Sequence, residues 1–158
     1  MATKRNHRVK PRKGGSSNTR KNLGQKTNKL HGFKEEIART FLEMLLMIKL
    51  FHWKTHSYAT HKATDDLYAK LNEHIDSFIE ILLGKTESRI NLMKQKSIKL
   101  IDLPSQDSLK KEIEAYKGYL VSLDDNKALQ SMSNSDLYNI RDEILGDLNQ
   151  FLYLLTFE

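Results

Sequence analysis

The chain has 158 residues, of which 39% are hydrophobic and 29% are charged, as is typical of one soluble globular domain. It contains no cysteine, which excludes disulfide bonds, thiolate metal ligands and a cysteine nucleophile. The longest apolar run, from Phe41 to Trp53, is interrupted by Glu43 and Lys49, so we expect no membrane partner. The N-terminus is polar and basic and has no apolar signal-peptide core, so we expect an intracellular protein.

The net charge of +6 is divided unevenly along the chain. Residues 1–32 contain no acidic residue and ten basic ones: Lys4, Arg5, Arg8, Lys10, Arg12, Lys13, Arg20, Lys21, Lys26 and Lys29. The large aliphatic residues of this segment are only Val9, Leu23 and Leu30, which cannot bury enough surface to offset the entropy lost on ordering. We therefore predict a disordered basic tail over residues 1–32, followed by a folded domain over residues 33–158.

A flexible cationic segment suits a polyanion, because each neutralised phosphate releases condensed counterions. We predict that the ten basic residues bind DNA without sequence preference, and that this binding weakens as salt rises. No Phe, Tyr or Trp lies among the charges, so base stacking is not indicated. The alternatives are a nuclear-localisation signal around Lys10–Lys13 and a simple solubility tail.

Apolar residues recur at helical spacing in four segments, called A to D, and the sequence predicts an all-α four-helix bundle. The segments run from about Lys34 to Trp53, from Ser57 or Tyr58 to Leu83, from Ser108 to Leu123, and from Asp136 to Phe157. Gly84 is the predicted end of B, Asp107 or Ser108 the predicted cap of C, and Ser133 or Ser135 that of D. The short A–B turn predicts antiparallel packing. The long connection between B and C allows the crossover of ferritin-like bundles, although a plain up-down bundle fits the same pattern.

Segment B has two apolar faces, and one of them carries acids. The first is an ordinary core stripe. The second spans roughly 120° of the helix and mixes large apolar residues with ionisable ones. Its members are His61, Asp65, Tyr68, Asn72, Asp76, Ile79, Glu80 and Leu83. A solvent face does not need the apolar members, and a core face does not tolerate unpaired carboxylates, so this stripe predicts a partner or a metal.

The ionisable residues of the second face form two i,i+4 pairs, His61 with Asp65 and Asp76 with Glu80. Imidazole and carboxylate ligands suit iron, manganese or zinc. His52, at the end of A, is expected to lie near His61 across the turn. The pairs are roughly 22 Å apart along one helix, so a single copy cannot close them on one metal. A second copy running antiparallel can, which predicts an intersubunit site in a two-fold dimer.

These residues resemble the Dps family of ferritin-like mini-ferritins. The family has His-Trp at the end of its first long helix, then His-x3-Asp, then Asp-x3-Glu eleven residues after that Asp. Here the matching residues are His52-Trp53, His61 with Asp65, and Asp76 with Glu80. Residues 87–90 and the basic tail are also similar to Dps segments. The amino-acid sequence of the folded domain is most similar to that of Dps-like proteins of large DNA viruses.

The resemblance implies a ferroxidase centre at a dimer interface. One chain would supply His52, His61 and Asp65 as iron ligands, and its neighbour Asp76 and Glu80. Fe(II) would be oxidised with hydrogen peroxide or oxygen and stored as ferric mineral in a dodecamer, which protects DNA from oxidative stress. Trp53 would lie near the centre and intercept stray oxidising equivalents. The expected location is with DNA, in a nucleoid, a viral factory or a virion.

The family usually spaces its first two histidines about twelve residues apart, whereas His52 and His61 are nine apart, so His56 is an alternative ligand. His74 is expected to be exposed. Three acids of D, namely Asp142, Glu143 and Asp147, could instead complete an intrasubunit di-iron site with Asp76 and Glu80. Two other functions remain open. One is a structural nucleoprotein that keeps the fold without turning over iron, and the other is a zinc or manganese storage or sensing site.

Overall fold

The fold is an all-helical bundle. A computed structural model describes residues 17–92, 95 and 97–157, with side chains from residue 29 onwards. The helices are α1 (Ser17–Lys54), α2 (Tyr58–Thr86), α3 (Gln106–Ser122), the short α4 (Lys127–Gln130) and α5 (Ser135–Leu154), with a 3-10 turn at Leu123–Asp125. The described ranges contain no strand. Segments A, B, C and D correspond to α1, α2, α3 and α5, so the prediction of four main helices is confirmed.

Helix α1 begins much earlier than the sequence predicts. It starts at Ser17 rather than Lys34 and runs through residue 33 without a break. The structure therefore differs from the expectation of a disordered tail for residues 17–32, while residues 1–16 lie outside the described residues. The physical reason is that lengthening a nucleated helix adds one hydrogen bond per residue fixed, and this stretch contains no proline. It has no apolar stripe, so hydrophobic periodicity gave no sign of a helix.

The helix ends also differ in detail from the predicted caps. Gly84 is inside α2, which ends at Thr86 and is followed by Glu87 in the left-handed conformation (φ 46°). The amide groups of Glu87 and Ser88 donate to the carbonyl oxygens of Gly84 and Leu83, the pattern of a Schellman motif. Helix α3 is capped by Ser105, whose side chain forms a capping box with Ser108. The N-cap position of α5 is Asn134, one residue from each predicted cap.

The chain runs up, down, down and up through its four main helices. Helices α1 and α2 are antiparallel, and the rings of Phe41 and Phe78 meet edge to face with 5.4 Å between their centroids. The connection after α2 returns along the bundle, so that Asp102 binds Lys54 at the far end with 2.5 Å between Oδ1 and Nζ. Helix α3 consequently runs parallel to α2. Helix α5 runs back beside α2 and brings Asp136 to Lys85.

The core lies between the four main helices and is almost entirely apolar. Its largest fully buried side chains include Phe41, Phe78 and Phe151. Tyr116 is buried, and burial raises the pKa of both Tyr116 and Tyr119 above the usual range, so both phenols stay protonated. None of the described helices is long and apolar enough to cross a membrane. The core explains one apolar face of α2 and leaves the other at the surface.

Candidate metal centre

The candidate site lies on the outer face of α1 and α2, beside the three-residue turn that joins them. On α2 the buried stripe is formed by Leu67, Leu71, Ile75, Phe78 and Leu82. The second stripe is turned away from the core, and its apolar members Tyr68, Ile79 and Leu83 are half-buried rather than covered. On α1 the adjoining side chains Leu42 and Leu46 are 40% and 38% exposed. One copy of the chain therefore leaves an apolar surface around its acidic residues.

His52 and His61 form a reciprocal pair across the α1–α2 turn. Their rings stack with 3.9 Å between centroids and 24° between planes. His52 Nδ1 lies 3.1 Å from the carbonyl oxygen of His61, and His61 Nδ1 lies 3.1 Å from the carbonyl oxygen of His52. The short turn and the two helix ends hold both backbones at this separation, so each imidazole is fixed by the other residue's main chain.

These hydrogen bonds decide where each ring carries its proton. A carbonyl oxygen only accepts, so Nδ1 of each imidazole is the donor. In the neutral ring, Nε2 then keeps its lone pair and is available to a metal. Metal-binding histidines in proteins usually donate their other ring N–H to a carbonyl or carboxylate in this way. The contacts of His52 and His61 therefore favour the Nδ1–H tautomer, in which Nε2 can bind a metal.

Asp65 is the carboxylate next to this pair. Its Oδ1 lies 3.9 Å from His52 Nε2 and 3.9 Å from Lys49 Nζ. Lys49 also lies over the ring of Tyr68, with 4.6 Å from Nζ to the centroid. The side chain of Asp65 is 50% exposed, whereas that of His52 is 9% exposed. The site thus has a buried imidazole at its base and a carboxylate at its surface, with an ammonium group alongside.

Asp76 and Glu80 lie further along the same face of α2 and do not meet the histidines within one chain. Both are exposed, and neither forms an ion pair or hydrogen bond with the described residues. Asp76 lines an open groove of about 320 Å³ between α1, α2 and the start of the crossover, together with Leu42, Ile79 and Leu92. Within the described residues, these two carboxylates on a partly apolar face have no partner.

The described part of one chain contains no group of three or more His, Cys, Asp or Glu side chains arranged to hold a metal ion. His52, His61 and Asp65 are neighbours, but the face-to-face rings do not converge with the carboxylate on one point. One copy presents the two halves of the proposed ligand set roughly 22 Å apart.

The other residues singled out from the sequence have varied positions. Trp53, at the end of α1, is 69% exposed. His56, the alternative ligand, is exposed in the turn. Of the ten basic residues, Lys29 is exposed on α1. Three others, Arg20, Lys21 and Lys26, also lie in α1, but the structure describes only their main chain. The six basic residues from Lys4 to Lys13 lie outside the described residues.

The expectation that His74 is exposed is wrong, and so is the alternative of an intrasubunit site made with the acids of α5. His74 is not exposed but half-buried, with Nδ1 3.1 Å from Glu143 Oε2 and Nε2 3.7 Å from Asp147 Oδ2. Lys70 also binds Asp147. Glu143 and Asp147 of α5 therefore face His74 and Lys70 of α2, and they do not meet Asp76 or Glu80 to make an intrasubunit site. Asp142 instead binds Arg141. The physical reason is the position of each residue around the axis of α2. His74 lies on the side that packs against α5, whereas Asp76 and Glu80 lie on the outer face.

Thr64 is a residue of the site that the sequence analysis missed. Its side chain is fully buried, and its hydroxyl lies 3.2 Å from His52 Nδ1. The available signal was its position in the core stripe of α2, where a polar side chain needs a hydrogen-bond partner. Lys49 was also missed as a neighbour of Asp65, although a lysine inside an otherwise apolar run is a comparable signal.

One family model matches the chain, over residues 52–155, and its description is a family of unknown function, DUF5856. The matched region begins at His52 and includes His61, Asp65, Asp76 and Glu80, and it excludes the basic segment and most of α1. No curated protein and no solved structure matches the sequence. The match covers well over half of the chain, and the protein therefore belongs to the DUF5856 family.

Proposed function

We propose that this protein is a Dps-like, ferritin-like mini-ferritin that binds and oxidises Fe(II) at an intersubunit site. Its basic N-terminal segment binds DNA without sequence preference, so that Fe(II) in the neighbourhood of DNA is taken up and oxidised. The protein associates at least as a two-fold dimer and, by its resemblance to Dps, as a dodecamer.

The observation that carries this proposal is the reciprocal pair of His52 and His61. Both Nδ1 atoms are bound to main-chain carbonyl groups, which is the arrangement that usually supports metal-binding histidines. This arrangement leaves an Nε2 lone pair on each ring, with that of His52 3.9 Å from Asp65 Oδ1, and nitrogen with carboxylate oxygen suits Fe(II) better than calcium or magnesium. The donors of one chain therefore fit half of an iron site.

The second half of the site is proposed to come from another copy. Two antiparallel α2 helices related by a two-fold axis bring His61 and Asp65 of one chain against Asp76 and Glu80 of the next. The same pairing covers Ile79, Leu83 and the partly exposed Leu42 and Leu46. It also places the proposed iron ions beside Asp76 and Glu80, which are unpaired in the described part of one chain.

The path of the chain supports the same proposal. Parallel α2 and α3, joined by a crossover along the bundle, are the arrangement of ferritin-like bundles, whereas an up-down bundle has antiparallel neighbours throughout. The contact between Lys54 and Asp102 is the evidence for this return of the chain.

Iron is the substrate in this proposal. Two Fe(II) ions each lose one electron, and hydrogen peroxide accepts both electrons with two protons to give two water molecules and two Fe(III) ions. The histidines hold Fe(II), and the carboxylates of Asp65, Asp76 and Glu80 favour the higher charge of Fe(III). Trp53, adjacent in sequence to His52 and exposed, is placed to be oxidised by equivalents that escape the site.

Complementation between two inactive chains tests the proposal. One chain carries His61→Ala with Asp65→Asn, and the other carries Asp76→Asn with Glu80→Gln. Each homodimer lacks both sites, whereas a mixed dimer restores one intact site. We expect no peroxide-dependent Fe(II) oxidation from either variant alone and activity after the two are unfolded together and refolded. Activity absent from the unmutated protein, or no recovery in the mixture despite mixed dimers, would contradict it.

A structural nucleoprotein with no iron turnover is the second candidate. It is favoured by Lys49, whose ammonium group is already close to Asp65 and gives that carboxylate a partner within the chain. The two functions differ in the unmutated protein, since only the first oxidises Fe(II). The Asp76→Asn, Glu80→Gln variant should lose oxidation and keep DNA binding if the first is correct.

A further inference from the structure

Thr64 is the buried polar residue closest to the histidine pair. It lies one residue before Asp65, in the stripe of α2 that packs into the core, and its side chain has no exposed surface. Its Oγ1 lies 2.8 Å from the carbonyl oxygen of Thr60, 2.9 Å from that of His61 and 3.2 Å from His52 Nδ1. A buried hydroxyl with three polar neighbours is held in one orientation.

The neighbours determine how this hydroxyl is used. It has a single proton, and the two carbonyl groups can only accept. Because His52 Nδ1 donates to the carbonyl oxygen of His61, the hydroxyl proton is directed at a carbonyl group and not at Nδ1. A lone pair of Oγ1 then faces His52 Nδ1. Together with the carbonyl oxygen of His61 at 3.1 Å, it gives His52 Nδ1 two acceptors.

The opposite side of the His52 ring favours the other tautomer. Asp65 Oδ1 lies 3.9 Å from Nε2, and a carboxylate at this position draws the ring proton towards Nε2. That distance is beyond hydrogen-bonding range, whereas both contacts at Nδ1 are within it. Asp65 therefore favours the Nε2–H tautomer of His52, whereas two acceptors at Nδ1 favour the Nδ1–H tautomer. Thr64 contributes one of these two acceptors.

We propose that Thr64 is a positioning residue that holds His52 in its Nδ1–H tautomer and so keeps the Nε2 lone pair free for a metal. The proposal rests on the proposed function, because it assigns a metal to His52. Thr64 does not contact the metal in this arrangement and acts only through His52. His61 has the carbonyl oxygen of His52 as its acceptor and makes no contact with the Thr64 hydroxyl through its ring, so it serves as an internal reference.

The first test is the ring tautomer in the metal-free, full-length protein, read from the two-bond proton–nitrogen correlations of the histidine rings at neutral pH. In the unmutated protein we expect His52 to carry its proton on Nδ1. In Thr64→Val the Nε2–H form of His52 should increase and the signals of His61 should not change tautomer. Thr64→Ser, which keeps the hydroxyl, should restore the original pattern.

Thr60→Val is the matched control. It makes the same change one turn earlier at a buried threonine and keeps the Thr60 carbonyl group and all contacts of the Thr64 hydroxyl. We expect it to leave the His52 tautomer unchanged. If Thr64→Val does not fold, Thr64→Ala gives the same comparison, and the tautomer of the unmutated protein still decides the proposal.

The second test is the affinity for Zn(II), a probe that needs no redox chemistry. Loss of such a supporting hydrogen bond weakens metal binding by about tenfold or more, and Thr64→Ser should recover it. An Nε2–H tautomer of His52 in the unmutated protein, or an unchanged tautomer in Thr64→Val, would overturn the role of Thr64. If the tautomers behave as expected but Fe(II) is not oxidised, the proposed function fails and the positioning role stands.

Discussion

His52 and His61 each donate a ring N–H to the other's main-chain carbonyl group, over 3.1 Å in both directions, while their rings stack. Each residue is therefore both the ligand candidate and the support of its neighbour. Replacing one of them removes a ring from the stack and also frees the other ring from its packing contact. The two positions should consequently not behave as independent contributions in a double-mutant cycle.

The exposed leucines of α1 should be needed for association. Leu46 is 38% exposed and lies on the outer face beside the candidate site, so a lysine there places a charge in the proposed interface. We expect Leu46→Lys to shift the protein from dimer or larger assembly to monomer, with unchanged helix content and little Fe(II) oxidation. Sedimentation velocity measures the assembly, circular dichroism the helix content, and a peroxide-dependent oxidation assay the activity.

The control is Val121→Lys, which changes a side chain on α3 that is 55% exposed. It should leave the assembly intact. Persistence of the assembly in Leu46→Lys at low protein concentration would place the interface elsewhere.

DNA binding should depend on the number of N-terminal basic residues. Deleting residues 1–16 removes six of the ten and leaves every described residue in place. Because the logarithm of the binding constant falls with the logarithm of salt in proportion to the phosphates contacted, this deletion should reduce the salt slope, and deletion of residues 1–32 should abolish binding. Fluorescence anisotropy with two unrelated duplexes over a salt series provides the measurement. Equal DNA binding after removal of residues 1–32 would refute the role of the segment.

The end of α2 should be stabilised by glycine. Glu87 has a φ of 46°, where a Cβ atom costs roughly 1–2 kcal/mol. Glu87→Gly should therefore have a free energy of unfolding about 1 kcal/mol higher than Glu87→Ala, since only the alanine keeps the Cβ atom. At Gly84, where a Cβ atom meets nothing within 4 Å, the order should reverse and Gly84→Ala should be the more stable form. Urea unfolding of the variants measures both differences, and the same order at both positions would contradict the assignment of the helix end.

Acid should weaken the contact between α2 and α5. A hydrogen bond from Lys85, 2.7 Å away, lowers the pKa of Asp136 below its usual value of 3.8. A carboxyl group whose pKa is lowered by folding stabilises the protein above its unfolded pKa, and this contribution is lost as the pH falls through the folded value. Lys85→Gln should therefore be less stable than the unmutated protein near neutral pH, with the difference shrinking below about pH 4. The effect should be small, since the Asp136 side chain is about half exposed, and a difference that grows in acid would exclude this cause.

The sequence was sufficient to predict the four main helices and the meeting of His52 with His61. Both follow from local rules, since helical periodicity identifies a buried stripe and a short turn forces antiparallel neighbours together. The start of α1 could not be found in this way, because residues 17–32 have no apolar stripe. The pairing of His74 with Glu143 depends on the rotation and axial position of α5 against α2, which no local pattern specifies. Thr64 could be recognised as unusual, but its partner became visible only when the turn placed His52 beside it.

The turn between α1 and α2 consists only of Thr55, His56 and Ser57. We expect one extra residue there to shift the start of α2 relative to the end of α1 and to move His61 out of the stack. The crossover after α2 has no comparable restriction, since added residues can loop out from the bundle. Length variation among relatives should therefore be common after Glu87 and rare between Lys54 and Tyr58 wherever both imidazoles are retained.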